Sequence, residues 1–259
     1  MLNDFEPDIH DGPTPGDAFG QALLRYWSTG GSEAVLEYVE RDNGFLRASD
    51  VGKWFTAWAE MSRLDRWACE QAAGRVLDVG CGAGRHALVV AGHAEEVLGI
   101  DSSPGAIEVA RARGVRAQLC GVDELPAGLG RFDTILLLGN NIGILGGPGR
   151  AEAVLAGLAS VAAPNARLIG TSIDPYLSDD HDTSDYRNRN RSRGRLGGQL
   201  RMRIRYDRIA SPWFDYLFPS VGELRALVAE TPWWIEHVEQ EGAKYAVTLR
   251  LRGKAARPL

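Results

Sequence analysis

Apolar positions change their spacing along the chain, and each change predicts a different element. From Asp17 to Tyr26, Ser32 to Arg41 and Val51 to Ala73 they recur every three or four residues, which predicts three helices with one buried face before any strand. Ser32-Glu33 and Ser49-Asp50 suit helix starts and Gly44 suits a helix stop. Beyond Gly74 the pattern shortens. The apolar runs Val76–Val79, Val97–Ile100, Ala117–Val122, Phe132–Leu138 and Arg167–Ile173 alternate with helix-spaced segments at 85–94, 103–112 and 150–162. Strand and helix in strict succession predict a parallel sheet with helices packed on it. A further helix over 221–229 and strands over 233–239 and 245–251, the last of them antiparallel, complete an α/β fold: a doubly wound, mostly parallel sheet of seven strands.

Three regions lie outside that alternation. Residues 1–16 are acidic and rich in Pro and Gly, and read as an extended or disordered lead-in. Residues 17–73 read as an N-terminal helical cap, and 74–259 as the core, which carries an insertion at 175–219 after the fifth strand. A connection that long suggests a functional part. It opens with acids from Asp174 to Asp185, turns basic from Arg187 to Arg195, and then alternates strictly from Gln199 to Asp207. Leu200, Met202, Ile204 and Tyr206 fall on one face and Arg201, Arg203 and Arg205 on the other, the signature of a half-buried strand.

Composition narrows the functions open to such a chain. With 259 residues and 44% hydrophobic content it can bury one large core. A formal net charge of −5 argues against a general polyanion surface, so nucleic acid is not expected as a partner. Cys69, Cys81 and Cys120 show no metal or disulfide spacing, no run is long enough to span a membrane, and the first residues do not resemble a signal peptide. A cytoplasmic protein without a bound metal is expected, and a homodimer is compatible with all of this. Arginine outnumbers lysine 26 to 3, which weakens arguments from arginine identity alone.

The chemistry concentrates at the end of the first strand of the core. Val76-Leu77-Asp78-Val79 runs into Gly80, Gly82 and Gly84 and then a helix, so main-chain N–H groups can meet a ligand closely. A dinucleotide fingerprint would place its third small residue one position later, where Arg85 stands. Asp78 would repel a pyrophosphate and suits a cationic ligand group. The pattern D-x-G-x-G-x-G resembles motif I of the class I S-adenosylmethionine-dependent methyltransferases. Asp101 after the second strand, Asp123-Glu124-Leu125-Pro126 after the third, and the Phe132-Asp133 opening of the fourth are similar to the family's later motifs, in the same order over about 75 residues.

The resemblance implies S-adenosylmethionine as cofactor, with S-adenosylhomocysteine as product. It further implies that Asp78, Gly80, Cys81, Gly82 and Gly84 hold the methionine part, that Asp101 and Ser102 meet the ribose, and that Asp123 and Glu124 meet the adenine. Gly139 and Asn140, after the fourth strand, would lie beside the transferable methyl. Asn140 and Asn141 can line an active site there or serve as turn formers, and both readings stand. Tyr26 and Trp54 of the cap are candidates to close over the cofactor, and the insertion around His181 and Trp213 to wall the acceptor. In-line methyl transfer needs a base only for a protonated nucleophile; His181 is the first candidate, with Tyr176 and Tyr186 next, while His86 and His93 read as structural. The activity expected is methyl transfer to a small-molecule N, O or C nucleophile, in specialised metabolism among other settings. An RNA or protein methyltransferase and a non-methylating protein with the cofactor as scaffold are the alternatives.

Overall fold

A computed structural model describes residues 12–177 and 181–252, apart from the side chains of 181–183. Among these described residues, thirteen strands and seven α-helices follow one another as β1 (Thr14–Pro15), α1 (Ala18–Ser28), β2 (Leu36–Arg41), β3 (Leu46–Asp50), α2 (Arg63–Glu70), β4 (Arg75–Val79), α3 (Arg85–Val90), β5 (Glu96–Asp101), α4 (Pro104–Ala112), β6 (Ala117–Leu119), β7 (Phe132–Leu137), α5 (Pro148–Ser160), β8 (Ala162–Ile173), α6 (His181–Ser192), β9 (Gln199–Tyr206), β10 (Ile209–Ala210), β11 (Phe214–Leu217), α7 (Val221–Val228), β12 (Trp233–Glu241) and β13 (Lys244–Leu251). Most of the core lies in one seven-stranded sheet of order β12-β13-β8-β7-β4-β5-β6. β4 to β8 run parallel, and β13 is antiparallel to both of its neighbours. This is the doubly wound sheet that the alternation predicts.

Helices cover both faces. Ala68, Cys69 and Ala72 from α2 and the end that follows it pack with Val90 against Val76, Leu136 and Ile169. On the opposite side Val154, Leu155 and Leu158 of α5, Leu224 and Val228 of α7, and Trp233 join Leu77, Ile135 and Leu168. Trp233 is fully buried and donates its indole N–H to the Leu155 carbonyl at 2.9 Å, which satisfies its one polar atom.

The cap departs from its sequence reading. The segment expected as a helix over 32–41 is strand β2, and Leu46–Asp50 returns antiparallel to it as β3. Val35 and Glu37 are buried, two residues apart, and that inward set holds an acid in its middle. The period-two pattern is thereby masked, because Glu37 reads as polar while Lys53 pairs with it at 2.8 Å and the Trp54 indole donates to it at 3.1 Å. Gly44, read as a helix stop, follows Asn43 in a hairpin turn and takes φ +84° there. The expected helix over 51–73 resolves into two short 3-10 turns, Val51–Trp54 and Trp58–Glu60, and then α2, capped by the Ser62 hydroxyl on the Asp65 N–H.

The cap hairpin and the insertion form one structure. β2 pairs antiparallel with β9, β10 and β11 also pair with β9, and β1 pairs with β10, giving a second, six-stranded sheet from three distant parts of the chain. Glu40 faces Arg203 across the β2–β9 register and bonds it at 2.7 Å, with Arg205 at 3.4 Å. Arg201 and Arg195 lie 3.5 and 3.8 Å from Asp215, and the Arg203 guanidinium stacks 4.7 Å from the Trp213 ring centre. No described helix is long and apolar enough to cross a membrane.

Candidate active site

The C-terminal ends of the parallel strands open onto a cavity of about 600 Å³, walled by the glycine loop after β4, the ends of β5 and β7, α1, Trp54 and the second sheet. The loop that starts it is made by conformation. Gly80, Gly82 and Gly84 all take positive φ, and the Gly80 and Cys81 N–H groups donate to the Ile100 carbonyl at 2.8 and 3.0 Å, tying the loop to β5. A Cβ at Gly82 would lie 3.7 Å from the Phe19 ring of α1, so the aromatic sits directly over the loop. Gly80 has less room: a Cβ there would come within 2.5 Å of the Asn141 amide, which donates to the Val79 and Gly80 carbonyls at 3.0 and 2.9 Å.

Two carboxylates flank this loop in different surroundings. Asp101 lines the cavity and accepts from the Gly82 and Ser103 N–H groups, both at 2.9 Å. Burial raises its pKa above the usual carboxylate range, and these two amide bonds work against that rise. Asp78 lies beneath the loop, is 1% exposed, and keeps one carboxylate oxygen without a hydrogen-bond partner. Burial pushes its pKa up to about 6, with His86 pulling in the opposite direction. An orphaned buried oxygen below the loop fits a ligand that brings an ammonium, and Asp101 at the wall fits one that brings hydroxyls.

The expected residues do not all meet here. Gly80, Cys81, Gly82, Asp101, Ser102, Asp123, Gly139 and Trp54 line the cavity. Asp123 bears an ion pair with Arg150 at the mouth, Nε to Oδ1 3.2 Å, a partner that sequence reasoning did not supply. Asp78 and Gly84 support the loop from behind, and Glu124 is exposed beside Asp123. Tyr26 packs on Phe55 with ring centres 4.6 Å apart, in the cluster where the cap meets Ala83 and α4, and does not line the cavity. Tyr176 is engaged away from the cavity: its hydroxyl donates to Glu223 and accepts from the Gly197 N–H, and Arg191 lies over its ring. Tyr186 is likewise committed to Asp42 at 2.6 Å. His181 opens α6 and its side chain lies outside the described part.

Asn140 takes the left-handed conformation, φ 72°, which asparagine adopts more readily than most residues with a side chain. Its N–H donates to the Thr171 hydroxyl at 3.0 Å and its carbonyl accepts from the Tyr216 hydroxyl at 2.8 Å. Tyr216 belongs to β11, so the inserted segment is fastened onto the loop after β7. Ile204, Pro212, Phe214 and Tyr216 make the cavity's far wall. The alternation that marked β9 foretold Ile204, whereas Trp213 instead carries the Arg203 guanidinium and its two neighbours face the cavity. His86, read as structural, also lines the wall; it is 6% exposed and its Nε2 lies 3.6 Å from the Asp65 carboxylate. Phe19 of α1 and Asp17, which caps it, also line the cavity. The Asp17 carboxylate caps α1 at Gly20 and α4 at Gly105 at once, docking one helix start on the other.

Residues 76–165 match the model of a family described as a methyltransferase domain. Among solved structures, a S-adenosylmethionine-dependent methyltransferase from Bacteroides fragilis, in complex with S-adenosyl-L-homocysteine, is 27% identical over 93% of this chain and 98% of its own, with a TM-score of 0.76. A methyltransferase from Clostridium acetobutylicum is 12% identical over 75% of this chain and 94% of its own (TM-score 0.55), and the CcbJ methyltransferase from Streptomyces caelestis 15% over 68% and 83% (TM-score 0.53); both share the fold. None of the curated proteins compared matches the sequence.

Proposed function

The chain belongs to the class I S-adenosylmethionine-dependent methyltransferases, and from that premise we propose that its acceptor is a small molecule enclosed between the loop after β7 and the second sheet. The observation that carries this reading is the far wall. Ile204, Pro212, Phe214 and Tyr216 close an apolar face over a cavity of about 600 Å³, inside the range of about 300–1,000 Å³ typical of small-ligand sites. The arginines that an extended nucleic acid would need are paired instead with Glu40 and Asp215.

S-adenosylmethionine supplies the methyl group on a sulfonium and departs as S-adenosylhomocysteine. On this reading Asp101 accepts from the ribose hydroxyls, and the loop from Gly80 to Gly84, with Asp78 beneath it, holds the methionine ammonium. Asp123, kept in place by Arg150, is left to the adenine amino group. Phe19 and Trp54, edge to face with centroids 5.9 Å apart, keep water from this stretch. The Gly139–Asn141 loop, pinned by Thr171 and Tyr216, orients the acceptor against the methyl, and alignment of lone pair and bond is the main demand of an in-line displacement. A nucleophile with a free lone pair then needs no base.

The test is release of S-adenosylhomocysteine on incubation with S-adenosylmethionine and panels of small amines, phenols and carbon acids, set against RNA and unfolded protein. Turnover with a small molecule and none with the polymers is expected. Turnover confined to a polymer would overturn the assignment.

A further inference from the structure

A second, smaller cavity of about 220 Å³ adjoins the first and shares Trp54, Arg85 and Gly139 with it, so it begins at the point where the methyl would be presented. Its character is different. The main cavity has an apolar far wall; this one is bounded by three cations, Lys53, Arg85 and Lys244, against the single acid Asp65. Lys53 and Lys244 are two of only three lysines in a chain with 26 arginines, and they reach this place from opposite ends of the sequence. A lysine ammonium is a compact, strongly hydrated point charge with freely turning donors, suited to a small anion in a confined space.

The cations are not equally spent. Arg85 is 3.6 Å from Asp65 and also donates to the Lys53 carbonyl and the Thr56 hydroxyl. Lys53 pairs with the buried Glu37 at 2.8 Å and stacks on Trp54. Lys244, exposed at the start of β13, has no ion-pair or hydrogen-bond partner for its ammonium among the described residues, so it is the cation left to a ligand. Ser172, 1% exposed, also lines the cavity; its hydroxyl makes no hydrogen bond of full geometry and is met only by the neighbouring Tyr245 phenol, which gives its own proton to the Pro219 carbonyl at 2.7 Å. A cation met only by solvent and a buried hydroxyl without a well-formed acceptor, bordering one small cavity, suit an anionic group.

We propose that this side cavity is an anion subsite that takes a carboxylate- or phosphate-sized group of the acceptor, anchored by Lys244 and Ser172, so that the acceptor is an anionic small molecule with its nucleophile in the main cavity. This rests on the small-molecule reading above. The cofactor's own carboxylate offers the same chemistry, and the experiment separates the two sources. Calorimetric titration of wild type, Lys244→Met and Lys244→Arg with S-adenosylhomocysteine and with its decarboxylated analogue forms the first arm. The second titrates the S-adenosylhomocysteine-saturated proteins with benzoate, phenylacetate and inorganic phosphate, set against benzamide and phenylacetamide. The expected result is cofactor affinity within twofold in all three proteins, with anions that bind the saturated wild type at least tenfold better than the amides. That preference should be lost in Lys244→Met and retained in Lys244→Arg. A Lys244→Met protein that loses tenfold for S-adenosylhomocysteine but nothing for the decarboxylated analogue would give the subsite to the cofactor and overturn its assignment to the acceptor. No preference for acids over amides would overturn the subsite itself. Either failure leaves turnover with small molecules, and hence the functional reading, standing or falling separately.

Discussion

Asp78 is a carboxylate that the fold buries without fully satisfying it, and its protonation follows from that. Its pKa of about 6 in the folded chain lies above the value near 3.9 of an unfolded aspartate. The unfolded chain therefore gives up this proton first as pH rises. The stability that the protonated group contributes is complete below about pH 4 and is lost as pH climbs through 6. A separation of about two pKa units corresponds to roughly 2–3 kcal/mol. Asp78→Asn, which cannot ionise, should therefore gain on the cofactor-free wild type by on the order of that amount between pH 4 and pH 7 in denaturant unfolding. A difference between the two proteins that is flat with pH would contradict this account. The same substitution should weaken binding of an ammonium-bearing ligand, so the residue trades stability of the empty protein for recognition.

Among the elements, the second sheet holds the most consequence, because it turns a terminal hairpin and a distant insertion into one wall. Its seam is electrostatic at Glu40, whose carboxyl is held below the usual range first by the hydrogen bond from Arg203 and then by the charges of Arg203 and Arg205. That contribution is present above the unfolded value near 4.3 and is lost as pH falls through the lower folded value. Glu40→Gln should cost about 1–2 kcal/mol at pH 7 and speed amide hydrogen exchange in residues 199–206, since charge-assisted bonds are replaced by neutral ones. Unchanged exchange there would place the seam's strength elsewhere. This sheet was also the hardest part to read in advance. β9 announced itself through Leu200, Met202, Ile204 and the arginines between them, but nothing local says that its partner is Leu36–Arg41, more than 150 residues earlier. In that partner the buried Glu37 broke the alternation that would have identified it. By contrast, β4 to β8 were legible because strands buried on both faces are plain apolar runs bounded by helices.

At the scale of the molecule, the net charge of −5 and the pairing of the inserted arginines with Glu40 and Asp215 lead to one expectation. RNA retention should be weak, and Arg201→Ala with Arg203→Ala should leave it unchanged; micromolar, steeply salt-dependent RNA binding abolished by that pair would reverse the view of this face. The part of the candidate site contributed by the sheet was legible from Asp78, Gly82, Asp101 and Gly139, because the motif order fixes which strand end each occupies. The aromatic segment around Trp213 was legible as a wall, but which of its rings face the cavity was not, and neither was Lys244, because their convergence is a property of the assembled second sheet and of the closing hairpin. The central claim is that the glycine loop and Asp101 hold S-adenosylmethionine in the large cavity. Isothermal titration with S-adenosylhomocysteine tests it most directly, using wild type, Asp101→Ala and Gly82→Val. Loss of the ribose acceptor should cost about 1–3 kcal/mol, and a branched side chain at a φ of +55°, where the ligand must touch backbone, should cost at least as much. Two folded variants that bind as tightly as wild type would contradict the account.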